Sequence, residues 1–219
     1  MTKQKRSKNI WLLLPLWGIA LFIVLYIVAT FYYPGGSQAD KHSTGFSWTQ
    51  NYWCNLLMYK AINGQDNPAR PIALAGMLVL CLSLSLFWYL FPLYTDLPKA
   101  LRLSIQVCGI TSMVITMFLF TGFHDSVINV ASAIGLVAIV GVYIALYKMK
   151  WHALFWMGIF NLGLVVVNNI LYYGNGLLIY LPVVQKISFA SFLIWICLID
   201  IRLYRKQAAI NNHPIPGQL

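Results

Sequence analysis

The chain has 219 residues, of which 60% are hydrophobic and 9% are charged, and its formal net charge is +10 at pH 7. Soluble domains carry about 25% charged residues, so this composition excludes an ordinary soluble domain and indicates a polytopic membrane protein. The basic residues flank apolar segments and are not gathered on one soluble face, which excludes a nucleic-acid-binding domain.

Six apolar segments follow one another along the chain, each near the roughly 20 residues that a helix needs to cross a bilayer. We predict an all-α, six-helix transmembrane bundle that forms one integral membrane domain over residues 1–219. The helices are predicted at 11–33, 71–94, 101–123, 126–147, 151–173 and 183–204. The first segment is longer than the apolar core of a cleaved signal peptide, which has roughly 7–15 residues. We therefore expect it to be retained as a signal anchor.

Lys and Arg cluster at every second break between the apolar segments. The clusters are Lys3, Lys5, Arg6 and Lys8, then Lys99 and Arg102, then Lys148 and Lys150, and finally Arg202, Arg205 and Lys206. Cytoplasmic loops of membrane proteins carry an excess of these residues. The alternation therefore predicts that both termini lie in the cytoplasm.

The only long connection, residues 34–70, is predicted on the outer side. Its middle is rich in aromatic residues, and four residues recur at intervals of 4, 3 and 4, namely Trp48, Tyr52, Asn55 and Tyr59. That spacing is typical of one face of a helix. We predict a short amphipathic helix that lies flat on the bundle and covers the helix ends as a lid. The lid residues are Trp48, Asn51, Tyr52, Trp53 and Asn55.

Polar side chains are costly in hydrocarbon, so their positions point to function. In the predicted topology, one polar set lies at a single depth beneath the long loop. Its members are Arg70, His124, Asp125, Asn129, Asn168, Asn169 and Lys186. We expect these residues to line a polar pocket open to the outer leaflet, in which Arg70 and Lys186 pair with Asp125. Such a pocket would bind a lipid headgroup or a small amphiphile.

Three alternatives remain open for the same residues. Polar side chains at helix ends cap backbone groups, and Asn side chains join neighbouring helices, so the set is also compatible with a purely structural role. His124 beside Asp125 would serve as a catalytic acid–base pair in a membrane-embedded hydrolase. A small-molecule transporter is the third alternative, although the sequence shows no inverted repeat.

We expect neither a metal nor a cofactor. The sequence has no Cys-x-x-Cys pair, no Walker loop and no Gly-x-Ser-x-Gly elbow. Among the histidines, only His42 and His124 share the predicted outer side. With Asp125 they would supply the three protein ligands of a catalytic zinc, but only if the loop closed to bring His42 to the other two. The expected partners are membrane lipids. The small-residue step from Ala131 to Gly135 favours close helix packing, within the bundle or between copies in a homo-oligomer.

The aromatic part of the loop also carries a family resemblance. The stretch Phe46-Ser47-Trp48-Thr49-Gln50-Asn51-Tyr52-Trp53-Cys54-Asn55-Leu56-Leu57 and the later Asn67-Pro68-Ala69-Arg70-Pro71 resemble the first outer loop of the bacterial six-span family called domain of unknown function 998. Its members have a His near the outer end of a later helix, as His124 is here, whereas their usual acidic residue after the loop aromatics is Asn55 here. The resemblance implies a six-span protein of the bacterial inner membrane and implies no activity.

Overall fold

The structure, a computed structural model, describes residues 10–174 and 176–212. The described part contains six α-helices, which confirms the all-helical class. They are α1 Leu14–Phe31, α2 Arg70–Leu93, α3 Lys99–Thr116, α4 His124–Lys148, α5 His152–Tyr173 and α6 Leu181–Asn212. Short 3-10 helices lie at Ile10–Leu13, Trp53–Leu57 and Leu178–Tyr180. The N-terminal basic cluster predicted to be cytoplasmic lies outside the described residues.

Five of the described helices are long and apolar enough to cross a membrane. They are Ile10–Phe31, Arg70–Leu93, His124–Lys148, His152–Tyr173 and Leu178–Ile210. α3 is not among them. It has 18 residues, which gives about 27 Å at 1.5 Å per residue, and it carries Lys99, Arg102 and Gln106. The chain therefore has the helices of a membrane protein, and the status of α3 decides whether five or six of them span.

The predicted third helix, 101–123, is wrong at its C-terminal end, because α3 stops at Thr116. Beyond that residue the backbone tightens into turns in which N–H groups donate to carbonyls three residues earlier, as Thr121 does to Phe118 at 3.0 Å. Thr and Gly are weak helix formers, and they meet here as Thr121 and Gly122. The chain then enters α4 at His124.

Helices that are adjacent in sequence pack side by side, and α6 closes the bundle against α1 and α2. Residues 32–69, called here the long loop, cover the end of the bundle where α2, α4 and α6 begin; we call this the loop end. Glycines allow the closest helix approaches. A Cβ on Gly18 of α1 would lie 1.7 Å from Ser83 Oγ of α2, and one on Gly109 of α3 would lie 2.4 Å from Trp88 Cγ.

α4 and α5 pack together less extensively than the other helices adjacent in sequence. They meet near their short connection, where the Tyr143 hydroxyl donates to the Gly158 carbonyl at 2.8 Å. Nearer the middle of the bundle, side chains between them such as Leu136 and Val165 are exposed and line a cavity. This α4–α5 gap leaves an opening in the wall of the bundle.

We predict that Gly18→Ala lowers the free energy of unfolding by about 1–3 kcal/mol, because its Cβ would push α1 away from Ser83. Gly163→Ala in α5 is the matched control, since a Cβ there meets nothing within 4 Å and Ala favours helix more than Gly. Thermal unfolding of both variants in the same detergent checks this. Equal stability of the two variants would contradict the α1–α2 contact.

Candidate functional site

Three buried asparagines hold the long loop in its folded shape. Asn51 donates from Nδ2 to the Gly36 carbonyl at 2.8 Å, and Asn67 donates from Nδ2 to the Met58 carbonyl at 2.9 Å. Asn55 accepts the backbone N–H of Tyr52 at 2.7 Å. Buried backbone groups must find partners, and these side chains supply them where the loop has no regular secondary structure.

The loop is fixed to the helices by one tryptophan and one lysine. The Trp53 ring packs against Phe22, Tyr26 and Phe189, with centroid separations of 5.9, 5.5 and 5.3 Å. The Lys186 ammonium of α6 donates to the Asn51 carbonyl, and also to a carbonyl one turn earlier in its own helix. The loop is therefore joined to α1 and α6 by apolar packing and by a charge-assisted hydrogen bond.

The long loop differs from the predicted lid in its local structure. Its one described helical segment is the five-residue 3-10 helix Trp53–Leu57, whose Leu56 and Leu57 are buried in the core. The amphipathic surface helix stays a prediction. Of the predicted lid residues, Trp48 is 47% exposed and packs on Phe46, whereas Tyr52, Trp53 and Asn55 line cavities beneath the loop.

A polar pocket of about 470 Å³ lies under the loop. It brings together five of the seven predicted ligand-binding residues, which are His124, Asp125, Asn129, Asn168 and Asn169. The other lining residues are Tyr52, Cys54, Ile128, Tyr172, Tyr173, Leu181 and Gln185. Residues predicted to lie at one depth therefore line one cavity, whose wall is built from α4, α5, α6 and the loop. Ligand binding by this set stays a prediction.

The two predicted cations do not pair with Asp125. The only contacts within 4.0 Å between basic and acidic side chains in residues 10–174 and 176–210 join Lys60 to Asp66 and His124 to Asp125. Arg70 instead donates from Nε to the Leu57 carbonyl at 3.2 Å. The expected pairing is therefore wrong, because Arg70 and Lys186 satisfy backbone carbonyls of the loop.

The polar pocket contains several hydrogen-bond acceptors. Asn168 and Asn169 each donate from Nδ2 to a carbonyl one turn earlier in α5, at 2.8 and 2.9 Å. These bonds use the amide nitrogen, so the amide oxygen of each side chain remains available to accept a hydrogen bond in the pocket. Asp125 adds a carboxylate that contacts His124 Nδ1 at 3.1 Å and the Tyr172 hydroxyl at 3.5 Å.

Asn168 also has a structural role. Its Nδ2 donates to Ser188 Oγ of α6 at 2.5 Å, so it joins two helices as the structural alternative expects.

A second, more apolar cavity of about 510 Å³ lies next to the polar pocket, toward the middle of the bundle. The two cavities share Ile128, Asn168 and Gln185. The small-residue face of α4 forms part of its wall, where Ser112 of α3 donates to the Ala131 carbonyl at 2.8 Å. That face is used for packing within the chain, and its role in an oligomer stays a prediction.

The chain matches no protein-family model, no curated protein and no solved structure. The resemblance to the domain of unknown function 998 family therefore stays a prediction, as does the bacterial source that it implies. The membrane orientation predicted from the basic clusters also stays a prediction. The candidate site is therefore identified from its geometry alone.

Cys54 is a pocket residue that the sequence did not single out. It lines the polar pocket and two adjoining cavities beside His124, and burial raises the pKa of its thiol to about 11. Such a thiol is protonated near neutral pH and is a weak nucleophile. Within the described residues, no group of three or more His, Cys, Asp or Glu side chains is placed to hold a metal ion.

We predict that Lys186→Met loosens the middle of the long loop, because it removes the ammonium that binds the Asn51 carbonyl. Hydrogen bonds to charged groups contribute about 1.5–3 kcal/mol, so amides in 50–55 should exchange with deuterium roughly tenfold faster or more. Lys60→Met is the control, since its ion pair with Asp66 is exposed and contributes about 0–1 kcal/mol. Unchanged exchange in Lys186→Met would contradict this attachment.

We predict that alkylation of Cys54 accelerates about tenfold per pH unit between roughly pH 7 and pH 10. The thiolate is the reactive form, and its fraction grows until the pH reaches the raised pKa of about 11. A maleimide rate profile on the variant with Cys81, Cys108 and Cys197 changed to Ala measures this, with a free small-molecule thiol as control. A plateau near pH 8–9 would show that the thiol has an ordinary pKa.

Proposed function

We propose that this protein is a six-span integral membrane protein that binds a single-chain amphiphile at its loop end. One observation carries the proposal: the polar pocket and the apolar cavity lie side by side and share three lining residues, Ile128, Asn168 and Gln185. A headgroup fits the first space and a chain fits the second. Both volumes fall within the roughly 300–1,000 Å³ of small-molecule sites.

The packing of α3 supports six spans. α3 lies along both α2 and α4, and the chain enters it from α2 at the end away from the loop. That end of the bundle carries four basic residues, Lys99, Arg102, Lys148 and Lys150. An excess of positive charge is typical of the cytoplasmic side, so we place this end in the cytoplasm. The proposal places the protein in the bacterial inner membrane with the loop outside.

The charge of the polar pocket favours a positively charged headgroup. Asp125 is its one carboxylate, and the described lining contains neither Lys nor Arg. The amide oxygens of Asn168 and Asn169 add further acceptors. Aromatic rings at Tyr52 and Tyr172 border the same space, and such rings attract ammonium groups. An ammonium head therefore suits this pocket better than a carboxylate or phosphate head.

We predict that the purified protein in nanodiscs binds hexadecyltrimethylammonium more tightly than hexadecanoate, and that Asp125→Asn weakens only the first. The expected loss is about fivefold, which corresponds to the roughly 1 kcal/mol of a partly exposed charge pair. Asp96→Asn is the matched control, because Asp96 is exposed at the far end of the bundle. Equilibrium dialysis measures binding.

The proposal fails if neither probe binds above its partition into protein-free nanodiscs. Tighter binding of hexadecanoate would overturn the headgroup assignment while leaving an amphiphile site.

The hydrolase alternative has one observation in its favour, the 3.1 Å contact between His124 Nδ1 and Asp125. Such a hydrolase would activate a water through His124, since burial raises the pKa of the neighbouring Cys54 thiol to about 11 and a protonated thiol is a weak nucleophile. Turnover of an ester-linked amphiphile that disappears in His124→Gln would establish the hydrolase and would replace the binding proposal. The described residues give no separate support to the transporter alternative.

A further inference from the structure

A third cavity, of about 130 Å³, lies inside the loop end, and we call it the core cavity. Its walls come from α1, α2, α4, α6 and the long loop, and from the turns between α3 and α4 at Leu119. Four aromatic rings border it, those of Phe22, Tyr26, Trp53 and Phe189. Aliphatic side chains such as Leu57 and Met77 complete a mainly apolar lining. The polar pocket and the apolar cavity leave this space unused.

The aromatic rings give the core cavity fixed walls. Phe22 and Tyr26 lie one turn apart on α1, are 1% and 3% exposed, and have ring centroids 4.4 Å apart. The Phe189 ring of α6 lies 5.7 Å from that of Phe22, and the Trp53 ring of the loop lies 5.3 Å from that of Phe189. Each ring is held by another ring, so the cavity is preformed.

Three polar side chains of the lining already have hydrogen-bond partners. The Lys186 ammonium donates to two backbone carbonyls, Gln185 Oε1 accepts the backbone N–H of Trp53 at 3.4 Å, and His124 Nδ1 contacts Asp125 at 3.1 Å. A buried water needs about 2–4 polar partners, and few groups remain here to supply them. An apolar cavity of about 150 Å³ stays dry and binds benzene or xenon, so the core cavity fits one six-membered ring.

The core cavity adjoins both parts of the proposed amphiphile site. Ile128 of α4 and Gln185 of α6 line the core cavity, the polar pocket and the apolar cavity alike. Cys54 and His124 are shared by the core cavity and the polar pocket. A group placed beside these residues is next to all three spaces. A quaternary nitrogen carries four substituents, so an ammonium head can direct a different substituent toward each space.

We propose that the ammonium head of the bound amphiphile carries one ring-sized apolar substituent, such as a benzyl group, and that the core cavity holds this ring. The nitrogen then lies in the polar pocket and the chain in the apolar cavity. This proposal rests on the proposed function, since it requires the polar pocket to hold the head. It assigns the ligand to a class with a branched head, and it gives the core cavity the role of selecting the branch by its size.

The test compares hexadecyltrimethylammonium with benzyldimethylhexadecylammonium, in which a benzyl group replaces one methyl group. Each is dialysed against the protein in nanodiscs, and each affinity is corrected for partition into protein-free nanodiscs. The native protein should bind the benzyl compound about 2–10-fold more tightly, which is the gain from one well-placed aromatic contact. The naphthylmethyl analogue has two fused rings, which exceed the core cavity, and it should show no such gain.

Met77→Trp fills the core cavity, because Met77 lines this cavity and neither of the other two spaces. The variant should lose the preference for the benzyl compound and keep the affinity for hexadecyltrimethylammonium. Met157→Trp on α5 is the matched control, since Met157 is also half-buried but does not line the core cavity. Thermal unfolding verifies that each variant folds. If Met77→Trp does not fold, the naphthylmethyl comparison on the native protein still decides.

Equal binding of the benzyl and trimethyl compounds by the native protein would overturn the ring proposal and leave the proposed function intact. A gain of the same size for the naphthylmethyl analogue would also overturn it, because the gain would then not depend on the volume of the cavity. So would a benzyl preference that survives in Met77→Trp. Binding of none of the compounds would overturn the proposed function.

Discussion

The arrangement of the loop end depends on one constraint, the need of an irregular backbone to satisfy its polar groups next to apolar helices. Asn51, Asn55 and Asn67 do this inside the loop, and Arg70 and Lys186 do it from the helices. Each of these side chains makes at least one hydrogen bond with the main chain of the loop. The loop therefore has a fixed shape, and the space beneath it has fixed walls.

The same constraint sets the charge of the pocket. Arg70 and Lys186 break the positive-inside pattern, and the sequence alone suggests that they neutralise Asp125. In the structure they bind loop carbonyls, and the side-chain hydrogen bonds of Asp125 within the described residues are with His124 and Tyr172. The described lining of the polar pocket is thereby left with one carboxylate and no Lys or Arg, where the sequence predicts a balance of charges, and this difference is the basis for proposing a cationic headgroup.

Hydropathy predicts where the six helices lie, because a membrane span needs a long apolar segment, but it places the end of the third helix beyond Thr116. The shared depth of the polar residues correctly groups five of them around one cavity. Sequence reasoning fails where tertiary contacts decide. Every residue has a backbone carbonyl, so the sequence gives no sign of which carbonyls need a donor. It therefore could not show that Arg70 and Lys186 would hydrogen-bond to carbonyls of the loop. Nor could periodicity show that Trp53 packs among helix side chains while Trp48 stays exposed, since both lie in one aromatic stretch.

The α4–α5 gap has a consequence for how a ligand arrives. Exposed apolar side chains such as Leu136 and Val165 border the gap along the apolar cavity. In the proposed membrane orientation these side chains face lipid tails, so a ligand could enter through the gap without displacing the long loop. An amphiphile would enter sideways from the bilayer after it has already partitioned there. Occupancy of the site would then depend on the mole fraction of the amphiphile in the membrane. Adding more buffer around the membranes would change the occupancy little.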